Sequence, residues 1–270
     1  MRSAVAEPAR PILFPTEYPA SRRILVLLAA VFAVLTGYAQ TALNIGQTPA
    51  EFSADSDATL RVAGWAFSIW GLIYLGLLAY GVYQAWPKTP ESTLLRRLAW
   101  PSVAAMIGIG LWIFAAAFDW EGLTIALIVG SAVVLILPMT ALGDDMAAAP
   151  LRERALVAWP LALLAGWLTV ASAVNILTVL TGDGALPEFL PPTGWAILAV
   201  AVVVAIAVLV TGRTRVLAYP IPIVWGLIAV FAAEQQRNPT LAFTAMGAAI
   251  LLAIAAVILC FRLKRKPAAA

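Results

Sequence analysis

The chain has 270 residues, of which 63% are hydrophobic and 11% charged, with a mean hydropathy of +0.94. Soluble domains average roughly 45–50% apolar and about 25% charged residues, so an ordinary soluble protein is excluded and an all-α polytopic membrane helix bundle is predicted. There is no histidine and one cysteine, Cys260, which excludes His/Cys metal sites, a Cys–His nucleophile and an intramolecular disulfide. We expect no metal and no other cofactor, and the net charge of +3 gives no support for nucleic-acid binding.

Eight apolar segments follow one another along the chain, each close to the roughly 20 residues that a helix needs to cross a bilayer. The predicted spans are 24–43, 63–85, 98–118, 123–142, 155–180, 194–210, 217–234 and 241–261. Residues 1–23 are interpreted as a polar cytoplasmic tail and residues 263–270 as a basic one. The first span is predicted to be retained, because its apolar run is longer than the core of a signal sequence.

The basic residues predict the orientation of these spans. With a cytoplasmic amino terminus, fifteen of the seventeen Lys and Arg residues lie on the cytoplasmic side, and the outer loops hold only Arg61 and Arg237. An excess of basic residues on the cytoplasmic side is the known rule for membrane helices. We therefore predict an integral protein of a bacterial-type inner membrane with both termini in the cytoplasm.

Carboxylates are absent from the middle of the predicted spans. Their absence argues against proton relays, ion-coupled carriers and intramembrane hydrolases, which need such groups in the membrane. Asp119 with Glu121, and Asp144 with Asp145, form two pairs in short turns, where solvated helix ends are more common than cation sites. No catalytic residue is predicted, although an enzyme acting on a lipid or isoprenoid through Asp144 and Asp145 stays open as an alternative.

Eight of the ten tryptophans fall into two groups. Four lie at predicted span ends, where amphipathic rings prefer the headgroup level: Trp86, Trp100, Trp120 and Trp195. Four lie deeper, where a buried indole N–H needs a polar neighbour, a ligand or water: Trp70, Trp112, Trp167 and Trp225.

Two helix faces combine these rings with other unusual residues. In the glycine- and aromatic-rich stretch 64–76, Phe67, Trp70 and Tyr74 are three and four residues apart and share one helical face. In the fifth span, Trp167, Ala171 and Asn175 repeat at intervals of four residues. Each face is either a ligand wall or helix packing, and an asparagine between helices usually serves the second purpose.

Both motifs resemble a known family. Gly64-Trp65-x-Phe67-x-x-Trp70-x-x-x-Tyr74 resembles the second-helix motif of the TspO/MBR family, the tryptophan-rich sensory proteins that include the mitochondrial translocator protein. Pro160, followed by Trp167 and Asn175 eight residues apart, resembles the fifth helix of that family, and Trp112 matches its third helix more loosely. The resemblance covers residues 24–181, and residues 182–262 would add three further helices.

The resemblance implies a five-helix core that binds a flat hydrophobic molecule, such as a porphyrin or a sterol, and so acts as a receptor or transporter. The implied ligand-binding residues are Phe67, Trp70, Tyr74, Trp112, Trp167, Ala171 and Asn175. Two departures place differences in this pocket: Ile109 replaces a family asparagine, and the gap between Phe67 and Trp70 is one residue shorter. The lipid bilayer is the second predicted partner, and a homodimer is possible as the assembly. The alternative that the protein is a structural subunit without any ligand stays open.

Overall fold

The computed structural model describes residues 20–54 and 59–261, and all regular structure in these residues is helical. The prediction of an all-α polytopic bundle is therefore confirmed. Most of the predicted amino-terminal tail and the whole basic tail lie outside the described residues. The helices are α1 (Ala20–Ala42), α2 (Pro49–Ala54), α3 (Ile69–Ala85), α4 (Thr93–Ala117), α5 (Glu121–Ala141), α6 (Gly143–Ala148), α7 (Leu151–Glu153), α8 (Trp159–Gly182), α9 (Pro192–Thr214), α10 (Pro220–Glu234) and α11 (Pro239–Phe261).

Two of the predicted spans are not regular α-helices throughout. A 3-10 turn, Gly64–Ser68, leads into α3, and a π-helical turn, Arg154–Ala158, joins α7 to α8. The second junction gives a continuous helical segment of 32 residues, Leu151–Gly182. Irregular turns of this kind re-aim side chains locally, and both lie beside the cavities described below.

Seven helical segments of the described chain are long and apolar enough to cross a membrane, and α10 is an eighth apolar helix of 15 residues. At 1.5 Å per residue α10 is about 22 Å long, which is less than the roughly 30 Å of a hydrocarbon core. It nevertheless runs the length of the bundle. It begins shortly after the end of α9, and beyond its last turn Asn238 Nδ2 donates to Thr193 Oγ1 (2.8 Å) at the start of α9. Eight helical segments therefore run from one end of the bundle to the other.

Helix α8 contacts α3, α5, α9 and α10, while α1 packs against α3 and α4. Small residues permit close approach between α8 and α10. A Cβ added to Gly166 would lie 2.0 Å from the carbonyl oxygen of Tyr219, and one added to Gly226 would lie 3.1 Å from Val170. A hydrogen bond of 2.7 Å between the Thr169 and Tyr219 hydroxyls joins the same two elements. The segment 182–262 is thus packed directly on the fifth predicted span.

The arginine pair that precedes the apolar run lies within the described part of α1. Helix α1 begins at Ala20, so Arg22 and Arg23 belong to the helix and not to the tail. Both pair with Glu91 in the connection between α3 and α4, and Arg22 is buried. This carboxylate offsets one of the two positive charges, which helps the helix to include the arginine pair before the apolar run.

Candidate functional site

The 3-10 turn that carries Phe67 is held in place by α10. The indole N–H of Trp225 donates to the carbonyl of Ala66 (2.9 Å), and the amide of Ala63 donates to the carbonyl of Ala229 (3.2 Å). The ring of Trp65 meets that of Trp225 edge-on, with 4.7 Å between centroids. The turn therefore owes its position to a helix that lies more than 150 residues later in the chain.

The face of α8 that carries Trp167, Ala171 and Asn175 points into the bundle, as the spacing predicts. Asn175 joins three helices: its Oδ1 accepts from Trp112 Nε1 on α4 (2.9 Å), and its Nδ2 donates to Thr124 Oγ1 on α5 (2.8 Å). Of the three kinds of partner considered for a deep indole, Trp112 has a polar side chain, that of Asn175. Because the amide is used in this way, Asn175 stabilises helix packing as well as lining a cavity.

Aromatic rings form a continuous row from the surface of the bundle to its core. Trp70 stacks on Tyr74 with 5.2 Å between centroids and 27° between ring planes. Trp167 contacts Trp70 and Phe67 edge-on, at 6.2 and 6.0 Å. At the other end Tyr74 contacts Tyr38, which is 60% exposed.

An inner cavity lies between α8 and the helices that face it. Its lining includes five of the predicted residues together with α2 and α10, namely Phe67, Trp112, Trp167, Ala171, Asn175, Phe52, Ser53 and Gly226. The cavity volume is about 30 Å³. A buried water needs roughly 10–15 Å³ by this measure, so the inner cavity has room for one or two waters and not for a drug-sized molecule.

An outer cavity of about 520 Å³ lies on the other side of the aromatic row, between α1 and α3. It is lined by Trp70, Tyr74, Phe67, Gly71, Gly37, Tyr38, Thr41, Thr48, Pro49, Ala50, Ser68 and Ile113. Small-molecule sites typically have about 300–1,000 Å³, so the outer cavity has the appropriate size.

The seven predicted residues are therefore distributed over two adjoining cavities, and they do not form a single pocket. Trp70 and Tyr74 line the outer cavity, four residues line the inner cavity, and Phe67 contributes to both. The division arises because Phe67 belongs to the 3-10 turn while Trp70 belongs to α3, so the assumed single helical face is interrupted. The role of these residues in ligand binding stays a prediction.

One polar atom beside the outer cavity lacks a partner. The Nε1–H of Trp70 is buried and has no hydrogen-bond acceptor among the residues that the structure describes. By contrast, the indoles of Trp112, Trp195 and Trp225 all donate to protein oxygens. A buried donor without an acceptor costs free energy.

Sequence reasoning missed residues that other elements bring to these cavities. Phe52 lies on α2, a segment interpreted as loop, although Thr48 and Glu51 form a capping box that marks a helix start. Gly226 lies in Trp225-Gly226-Leu227-Ile228, which repeats Trp70-Gly71-Leu72-Ile73. Tyr38 gave no sequence signal for this role.

The carboxylate pairs do not join the cavities. Asp144 and Asp145 are exposed in the first turn of α6. Asp119 accepts from Gln47 Nε2 (3.1 Å) at the opposite end of the bundle. Within residues 20–54 and 59–261 there is no group of three His, Cys, Asp or Glu side chains that could hold a metal ion.

Comparison with known proteins gives one match. A family model described as "TSPO-like protein" matches residues 23–258, which include α9, α10 and α11 as well as the five preceding spans. No curated protein and no solved structure matches the chain.

Proposed function

Since the chain belongs to the family of TSPO-like proteins, we propose that it binds a flat apolar small molecule, of porphyrin or sterol type, in the outer cavity. The coarser conclusion, an integral membrane protein built of helices, stands independently of this proposal. Binding of this kind would serve reception or transport of the ligand. The basic-residue pattern favours an inner membrane of bacterial type with both termini in the cytoplasm.

The observation that carries the proposal is the environment of Trp70. Its ring stacks on Tyr74 and lines a cavity of about 520 Å³, while its N–H is buried without an acceptor among the described residues. An aromatic wall favours a flat partner, because each ring contact adds roughly 0.5–1.5 kcal/mol beyond area burial.

The inner cavity has a supporting role in this proposal. Its volume of about 30 Å³ is too small for a tetrapyrrole or a sterol, but Thr178 Oγ1 on its wall is buried and has no partner within the described chain. A water molecule beside Thr178 and Asn175 would satisfy such a group. Trp167 lines this cavity and packs edge-on against Trp70, behind the proposed ligand wall.

Titration of the purified protein in detergent with protoporphyrin IX tests the proposal, with the Soret absorbance of the porphyrin as the signal. We expect saturable binding, and Trp70→Leu should weaken it about 2- to 10-fold, because one stacking contact of roughly 0.5–1.5 kcal/mol is lost. Trp100→Leu is the matched control, since Trp100 is 57% exposed and lines neither cavity. Equal affinities of the two variants would refute the assignment of the site.

The same titration separates the alternatives. A structural subunit without a ligand predicts no saturable change with protoporphyrin IX, and no competition when a sterol is added. A membrane enzyme that uses Asp144 and Asp145 gains no support from the geometry, because both carboxylates are exposed on α6 and line neither cavity.

A further inference from the structure

A third cavity lies at the end of the bundle that the charge pattern places on the cytoplasmic side. It has a volume of about 450 Å³ and is formed by α3, α8, α10, α11 and the turns that precede α8 and α10. Two arginines, Arg154 and Arg215, are its charged residues, and the rest of its wall is Leu72, Trp159, Leu163, Leu217, Ala218, Ile221, Cys260 and Phe261. We call it the arginine cavity.

The two arginines have buried atoms without partners. The Nε atoms of Arg154 and Arg215 are both buried, and neither has a hydrogen-bond acceptor among the residues that the structure describes. At the same end of the bundle the pair Arg22 and Arg23 shares the carboxylate of Glu91. Both side chains are only partly buried and no described carboxylate pairs with either of them, so the two guanidinium groups give the arginine cavity a positive potential that favours an anion.

Irregular backbone positions both side chains. Arg154 is the first residue of the π-helical turn, and Arg215 has a left-handed conformation with φ of 53°. A left-handed conformation costs a non-glycine residue roughly 1–2 kcal/mol, and π-helical turns occur frequently at functional sites. Both departures from regular helix thus occur at the two charged residues of one cavity.

The shape of the arginine cavity resembles that of an amphiphile. The nine residue steps from Arg154 to Leu163 rise about 13 Å along the helix, so the charged end of the cavity continues into an apolar interior. Leu72, Ile221 and Phe261 are roughly half exposed, which opens this interior toward the surrounding lipid. In the sequence, Phe261 is followed directly by Arg262, Lys264, Arg265 and Lys266.

We propose that the arginine cavity binds an anionic phospholipid, with the phosphate between Arg154 and Arg215 and an acyl chain along the apolar wall. Guanidinium groups recognise phosphate by paired charged hydrogen bonds, and basic pockets between membrane helices are known to hold anionic headgroups. Free phosphate has the same headgroup chemistry, but the apolar wall favours the lipid. This site shares no residue with the outer cavity, so it stands or falls independently of the proposed function.

Native mass spectrometry of the full chain, with phosphatidylglycerol or phosphatidylcholine added at defined ratios, tests the proposal. We expect preferential retention of phosphatidylglycerol, and a loss of its affinity of at least about tenfold in the double variant Arg154→Gln/Arg215→Gln. Arg213→Gln is the matched control, because Arg213 is exposed, lies two residues away and does not line the cavity. A double variant that keeps the phosphatidylglycerol preference of the control would overturn the proposal.

Two further measurements complete the test. If the double variant does not fold, Arg215→Lys keeps the charge but removes the planar guanidinium, and we expect it to bind phosphatidylglycerol several-fold more weakly. Unchanged affinity in that variant would contradict the proposed contact. Inorganic phosphate distinguishes a lipid headgroup from free phosphate as the bound anion. If millimolar phosphate binds to the protein while phosphatidylglycerol is not preferred over phosphatidylcholine, the lipid assignment is refuted.

Discussion

Filling the outer cavity from within the protein is the most direct test of its role. Gly71 lines this cavity, and a Cβ built on it meets no atom within 4 Å. The substitution Gly71→Phe therefore places a ring in the cavity without forcing any neighbouring helix to move. Glycine inside a helix is less favourable than alanine by up to about 1 kcal/mol, so removing Gly71 does not weaken the helical backbone of α3.

The expected effect follows from the volumes. The seven carbon atoms of the phenylalanine side chain would occupy a substantial part of the cavity of about 520 Å³. A flat molecule that needs most of this space should lose at least about 1.4 kcal/mol of binding free energy, which is a tenfold rise in Kd. Titration with protoporphyrin IX in detergent, followed by Soret absorbance, measures this change.

Gly130→Phe is the matched control for this substitution. Gly130 lies on the exposed face of α5, an added Cβ there also meets nothing within 4 Å, and the residue lines neither cavity. We expect Gly130→Phe to bind as the unmodified protein does, with both variants equally stable to thermal unfolding. If Gly71→Phe is stable and its Kd equals that of the control, the outer cavity is not the binding site.

Three other substitutions test the packing around the site. Asn175→Ala removes two hydrogen bonds between helices, each worth about 0.6 and at most about 1.7 kcal/mol in membranes. The free energy of unfolding in SDS should therefore fall by about 1–3 kcal/mol. Trp112→Phe removes only one of these bonds and should lower the free energy of unfolding by less. Gly166→Ala should destabilise by roughly 1–3 kcal/mol, because its Cβ would lie 2.0 Å from a carbonyl at the start of α10, whereas Gly130→Ala should be neutral or stabilising. Glu51 accepts a hydrogen bond from the Thr48 amide, which lowers the pKa of the Glu51 carboxyl below the ordinary 4.5. The protection of the α2 amides in hydrogen exchange should therefore decrease as the pH falls through that lowered pKa. Glu51→Gln should abolish this pH dependence.

Local properties of the sequence predicted the membrane segments well. Length and hydropathy alone placed a span at 123–142, and α5 covers Glu121–Ala141. The spacing of Trp167, Ala171 and Asn175 predicted their common face, because it needs only a regular helix. Both predictions concern neighbours within one segment, for which a hydrophobic pattern is sufficient.

The separation into two cavities could not be predicted in this way. It depends on the 3-10 turn at Gly64–Ser68, which is stabilised by Trp225 and Ala229 of α10. The sequence alone does not show where a 3-10 turn replaces the α-helix, so a regular period of 3.6 residues predicted Phe67 on the same face as Trp70. The contribution of Gly226 was equally hidden, since only the close contact of α10 with α8 brings it to the inner cavity.

The short helix α10 also changes the membrane around the protein. Its 15 residues leave a hydrophobic mismatch of about 8 Å with an ordinary bilayer, which lipids relieve by local thinning and flanking residues by reaching toward the interface. Leu217 and Ile221, at the start of α10, are also wall residues of the arginine cavity. The headgroups of a thinned leaflet would therefore sink toward Arg215, so the mismatch itself would guide an anionic lipid to the mouth of this cavity.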